Sequence, residues 1–331
     1  MLIYMIAAFA VSMAVACVTA RFLIPYLRAK KAGQSIRGDG PVWHMSKQGT
    51  PTMGGLIFIA GIAAAMIAIG IWQGIAAGDW RHLLIFALAL IFALIGFLDD
   101  YQKLKKKQNL GLTAIQKLAL QAAAAIAFVI ILKVMGHLHP HLYIPFFNVT
   151  VKIPEIVYLI FAALVMVGCV NAVNITDGVD GLATSVTMPV ALFFAAVSLL
   201  WSFTGTGIFA AALFGGLAGF LIFNAHPAKV FMGDTGSLFL GGAVCGMAFA
   251  CDMPLVLIPV GLIYVVETLS DILQVIYFKL THGKRLFRMA PLHHHFEMGG
   301  WSENRIVCVF TAISLVMAAV TYFFGVSGRS F

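Results

Sequence analysis

Five short polar strings interrupt an otherwise apolar chain, and their residue types describe phosphate and cation chemistry. Asp99 and Asp100 stand side by side at the end of an apolar run. Adjacent carboxylates repel each other, and a helix C-terminus disfavours negative charge, so the pair needs a cation or a proton nearby. Lys103, Lys105, Lys106 and Lys107 follow and offset part of that charge. Successive helix positions point about 100° apart, which gives the two acids different jobs. Asn171 and Asn174, three apart and so on one helix face, lead into Asp177-Gly178-Val179-Asp180-Gly181. Glycines there permit tight turns that aim the carboxylates into a cleft. Asn224, His226, Lys229 and Phe231 precede Gly233-Asp234-Thr235-Gly236-Ser237. A lone Asp beside a helix start capped by Ser237 suits a hard cation bridging phosphates, because Mg²⁺ is usually held by one or two carboxylates plus substrate oxygens and water.

Lys47 comes just before Gly49-Thr50-Pro51-Thr52-Met53-Gly54-Gly55. Pro51 suits the first turn of a helix and Thr50 its cap, and such a terminus also holds phosphate. The last string runs from Arg285 to Glu297 and contains His293, His294 and His295. Three consecutive histidines cannot all reach one ion. Hydrogen bonding to phosphate or sugar, beside Arg285 and Arg288, fits them better.

The elements that must carry these strings are membrane helices. Of 331 residues 61% are hydrophobic and only 10% charged, whereas soluble domains are about a quarter charged. That excludes a water-soluble enzyme, a disordered chain and a nucleic-acid-binding module. A spanning helix needs about 20 apolar residues. Ten runs are candidates, near 2–20, 54–72, 83–98, 115–135, 155–173, 182–201, 207–224, 237–251, 254–278 and 306–326, the third and eighth looking short and the ninth long. The first lacks a basic lead and a small-residue cleavage site, so it reads as a span and not as a cleaved signal. The chain is expected to form one polytopic domain over 1–331.

Counting loop by loop, 17 of the 21 Lys and Arg follow odd-numbered spans. The positive-inside rule then places those loops in the cytoplasm and both termini outside. Ten of the 13 carboxylates fall on that same side; Asp79, Glu155 and Asp252 do not. A one-sided cluster of acids and bases describes an interfacial site for an anionic substrate with a metal, whereas a transporter would place ionisable groups near the midplane. Alternation around Asn148 predicts a small outer hairpin near 140–153, next to His137, His139 and His141. The five cysteines have neither metal spacing nor a disulfide pattern.

The ordered set of strings resembles the polyprenyl-phosphate N-acetylhexosamine-1-phosphate transferase superfamily. Within it, Met289-Ala290-Pro291-Leu292-His293-His294-His295-Phe296-Glu297 resembles the phospho-N-acetylmuramoyl-pentapeptide transferases. The resemblance covers essentially the whole chain. It implies a multi-pass protein of the bacterial cell membrane with a cytoplasmic cleft. It also implies Mg²⁺-dependent transfer of phospho-N-acetylmuramoyl-pentapeptide from its UDP carrier to undecaprenyl phosphate, giving lipid I and UMP for peptidoglycan synthesis. On the family pattern Asp234 holds Mg²⁺, while Asp99 or Asp100 orients or deprotonates the lipid phosphate. Lys47, Thr52, Asn171, Asn174, Asp177, Asp180, Asn224 and Phe231 line the nucleoside and sugar-phosphate pocket, Phe231 against uracil. Lys117 and His294 or His295 meet phosphates or sugar, and His293 also belongs to the substrate-binding set. The family suggests a homodimer, and nothing points to nucleic acid. Glu267 and Asp271, one turn apart, have no place in that pattern. A sister enzyme using UDP-N-acetylglucosamine is the nearer rival and a lipid flippase the more distant one.

Overall fold

The computed structural model describes residues 1–30, 47–106, 111–326 and 328. Most of the first basic loop, with Arg37 and Asp39, lies outside the described residues, as does Lys107. The protein is mainly α-helical. Helix α1 is Leu2–Ala29, and α2, Gly55–Ala65, continues through a π-helical stretch into α3, Ile71–Ala77. There follow α4 (Arg81–Lys106), α5 (Ala114–Val134), the strands β1 (His141–Ile144) and β2 (Val149–Lys152), α6 (Glu155–Thr176), α7 (Leu182–Leu200), α8 (Thr204–Asn224) and α9 (Gly233–Ala250). The last elements are α10 (Leu257–Val260), α11 (Leu262–Leu280), α12 (Leu292–Glu297) and α13 (Glu303–Val320).

Long apolar runs become helices because a backbone in lipid must satisfy its own hydrogen bonds. Among the described residues eight helices are long and apolar enough to cross a membrane, or up to nine if one bent pair counts as a single span. The run expected at 254–278 is that pair: Pro254–Val260 and Leu262–Leu280 meet at 81°. Pro259 and Gly261 sit at the break, where one lacks a donor and the other a side chain. The run expected at 237–251 is α9. Its polar first turn lowers its apolarity, and every residue from Thr235 to Ala250 is buried. α9 is therefore the central helix of the bundle, packed against α4 and α6.

Small residues let the polar ends of these helices converge. A Cβ on Gly96 of α4 would overlap the backbone carbonyl of Asp234, and one on Gly55 would overlap Gly236. Without those contacts α4 and α2 could not reach the start of α9. The hairpin forms as its alternation predicts, antiparallel with His141 opposite Lys152 and Ile144 opposite Val149. The Tyr143 hydroxyl, 2.7 Å from the Gly325 carbonyl oxygen, pins it to the C-terminal helix.

Candidate active site

The site assembles where the end of α4, the start of α9 and the loop after α6 meet. Asp99 and Asp100 do not terminate their helix as expected, since α4 continues to Lys106. The neutralisation of Asp100 comes from α9, and that of Asp99 from Lys103 of its own helix. Asp100 accepts the backbone N–H of Asp234 (3.2 Å), that of Thr235 (2.9 Å) and the Thr235 hydroxyl (2.7 Å). It thereby caps a helix whose N-terminal dipole favours negative charge. Ser237, the expected cap, lies inside α9 and donates to the Gly233 carbonyl at 3.1 Å. Asp99, one residue earlier, faces elsewhere. Its carboxylate accepts the Leu112 N–H at 2.8 Å and pairs with Lys103 at 2.6 Å.

Asp234 sits among cations. Lys117 lies 2.8 Å and Lys103 3.0 Å from one carboxylate oxygen, and the Asn174 amide donates to the other at 2.8 Å. The same amide reaches the Ser237 hydroxyl at 2.7 Å. Asp99, Asp100 and Asp234 each offer an oxygen within 4.8 Å of the others. Carboxylate oxygens are the hard donors that Mg²⁺ takes, usually one or two of them together with substrate oxygens and water. Burial pushes the Asp177 carboxyl well above the ordinary carboxylate range, and the carboxylates of Asp234, Asp100 and Asp180 push the same way. A divalent cation at the triad would relieve that repulsion, so the residues fit such an ion.

Other expected residues have structural partners. Helix α2 begins at Gly55, three residues after Thr52 and not at Pro51. The stretch before it is held by backbone bonds from Phe231 to Pro51 (2.8 Å) and from Gly54 to Phe231 (2.8 Å). Thr52 is buried beside Gly233. The Phe231 ring is half-buried on this strap. Asn224 is buried, accepts from the Thr184 hydroxyl (2.7 Å) and donates to Val230 (3.1 Å), fixing the turn ahead of Phe231. Asn171 donates to Gln121 at 2.7 Å, one turn behind Asn174.

Lys47 belongs to a second cluster. It pairs with Asp180 (2.8 Å) and Glu303 (2.6 Å), and Asp180 also accepts from His226 Nδ1 (3.0 Å) and the Ala228 N–H (3.0 Å). Glu303 in turn accepts the Asp180 N–H at 3.0 Å. Nothing local in the sequence signals Glu303, an ordinary first-turn acid of α13. The three histidines diverge, as their adjacency requires. His293 Nδ1 meets Glu267 (2.8 Å), His294 Nδ1 meets Glu297 (2.6 Å), and His295 Nδ1 accepts the Arg288 N–H (3.2 Å).

The description "Glycosyl transferase family 4" matches residues 82–252, from α4 to just past α9. "Phospho-N-acetylmuramoyl-pentapeptide-transferase signature 1" matches residues 47–59, from Lys47 into α2. The phospho-N-acetylmuramoyl-pentapeptide-transferase of Carboxydothermus hydrogenoformans is 48% identical over 322 residues, covering 96% of this chain and 97% of its own. Its counterpart in Caldanaerobacter subterraneus is 44% identical over 313 residues, with 94% and 96% covered. That in Listeria monocytogenes is 43% identical over 323 residues, with 97% and 98% covered. The chain belongs to the phospho-N-acetylmuramoyl-pentapeptide-transferase family. In this transferase the signature stretch carries Lys47, Thr52 and the Gly55 contact, so it binds the second cluster to the start of α9. The 82–252 match holds Asp99, Asp100, Lys117, Asn174, Asp177, Asp180 and Asp234. Glu267 and the three histidines fall beyond it, within the full-length similarity.

Proposed function

We propose that this protein transfers phospho-N-acetylmuramoyl-pentapeptide from its UDP carrier to undecaprenyl phosphate, forming lipid I and releasing UMP. An oxygen of the lipid phosphate bonds to the sugar-bearing phosphorus, and the bond from that phosphorus to the UMP oxygen breaks. Such transfers depend on positioning and charge neutralisation. The observation that carries the reading is the Asp99–Asp100–Asp234 triad with Lys103 and Lys117 against it.

Mg²⁺ would be held by Asp234, with Asp99 and Asp100 beside it, and when bound it supplies neutralisation of the diphosphate. Lys117 and Lys103 turn from Asp234 to phosphate oxygens. Asp99 orients the lipid phosphate or takes its proton, and Asp100 keeps α9 in place. Both Asp99 oxygens are engaged by neighbours, which favours direct attack over a covalent aspartyl intermediate. Lys47, Asn174, Asp177, Asp180 and Phe231 shape the nucleoside and sugar-phosphate pocket, while Thr52, Asn171 and Asn224 support it. His294, with His293 and His295, borders the sugar phosphate.

We take the chain as one polytopic domain in the bacterial plasma membrane, with ten membrane passes counting α9 and the bent pair. Both termini and the hairpin lie outside, and the cleft faces the cytoplasm, where a water-borne nucleotide and a leaflet-anchored lipid can meet. A homodimer is its expected state. Radiolabelled transfer to undecaprenyl phosphate by purified protein in detergent, with and without EDTA, tests the reading. Metal-dependent lipid I formation supports it; label transferred equally well from UDP-N-acetylglucosamine, or none transferred, refutes it.

A further inference from the structure

Glu267 lies on α11, shortly after the 81° break, and is 0% exposed. A buried carboxylate is costly unless its oxygens are hydrogen-bonded. Here one oxygen accepts the His293 backbone N–H at 3.1 Å and the other accepts His293 Nδ1 at 2.8 Å. Because a carboxylate only accepts, this contact places the proton on Nδ1 and so sets the tautomer. His293 is 1% exposed, and its Nε2 is buried with no hydrogen-bond partner among the described residues. That atom is aimed at the loop after α6, where a Cβ on Gly178 would overlap it. Gly178 directly follows Asp177, whose carboxyl feels Asp234 and Asp100. An unsatisfied buried acceptor of this kind needs an explanation.

We propose that Glu267 is a positioning residue for the transfer reaction. It locks His293 with Nδ1 protonated, so that Nε2 is held against the Asp177–Gly178 turn, and a substrate hydroxyl or N–H entering at that turn is the donor Nε2 lacks. The proposal rests on the functional reading above. Glu267→Gln is the informative change. With one oxygen left for the His293 N–H, its amide meets Nδ1 with a donor and drives the proton to Nε2. Carboxylates that orient a metal-bound histidine typically contribute about 10–100-fold; with an effect of the same order here, kcat for UMP release falls by about that factor while the KM for the sugar nucleotide moves less than about threefold. A kcat within about twofold of wild type, or a change in KM alone, overturns the proposal.

A second measurement does not depend on Glu267→Gln folding or on turnover. In ¹⁵N-histidine-labelled wild-type protein, with His293 assigned through His293→Gln, Nδ1 is expected to be protonated. A bare Nδ1 overturns the proposal. Absence of transfer by the wild type would instead refute the functional reading and leave this test standing.

Discussion

Two acid clusters lie where the polar loops converge, and their cations distinguish them. At Asp180, His226 and Glu303 the carboxylates are already engaged by Lys47, His226 and two backbone N–H groups. That cluster joins the signature stretch, the loop after α6 and the start of α13, and we read it as a strut along the wall of the proposed substrate pocket. At Asp99, Asp100 and Asp234 three carboxylates share two lysines. Lys103 and Lys117 converge on Asp234, yet Asp177 beside it is still pushed upward by burial and by its acidic neighbours. The difference teaches that a group of possible metal ligands is informative through what its surroundings leave unbalanced. We read the first group as structural and the second as the one that would hold a cation beside a charged substrate.

The largest effect is expected at Asp234. Asp234→Ala should lower UMP release by about 10³-fold, and saturating Mg²⁺ should not restore it; a variant within tenfold of wild type would remove the metal assignment. Asp99→Asn should lower turnover by about 10²-fold with little change in melting temperature. Asp100→Asn, which weakens the cap on α9, should cost about 1 kcal/mol of stability as well. Thermal melts beside steady-state rates separate the two. Gly96→Ala forces α4 away from the Asp234 carbonyl and should reduce turnover by about tenfold through displacement of the carboxylates; an unchanged rate would show that the helix approach is not needed. Glu303→Gln should act mainly on the strut, lowering stability by about 1–3 kcal/mol without changing the affinity for a divalent ion.

The parts legible in the sequence were those with local grammar. Alternation around Asn148 was enough to place the hairpin. Apolar runs located the helices, and the order of the five strings pointed to the family. What failed locally was decided by contacts far along the chain. Pro51 and Thr50 looked like a helix start, but backbone bonds to Phe231, some 180 residues away, hold Pro51 in a bridge and the helix starts only at Gly55. Asp99 and Asp100 looked like a helix exit because the apolar run ends there, while α4 continues as a polar helix stabilised by α9 and Lys103. The bend at Pro259 and Gly261 had a visible signal in both residues and in the excessive length of the run. Glu267 had none, since its partner lies 26 positions away and only folding brings them together.

Divalent-ion binding tests the central distinction most directly, with Mn²⁺ standing in for Mg²⁺ as another oxygen-seeking cation. Titrating purified protein and following free Mn²⁺ by electron paramagnetic resonance should show Asp234→Asn weakening binding by at least about tenfold, while Glu303→Gln matches wild type. Mn²⁺ affinity kept in Asp234→Asn and lost in Glu303→Gln would contradict the account.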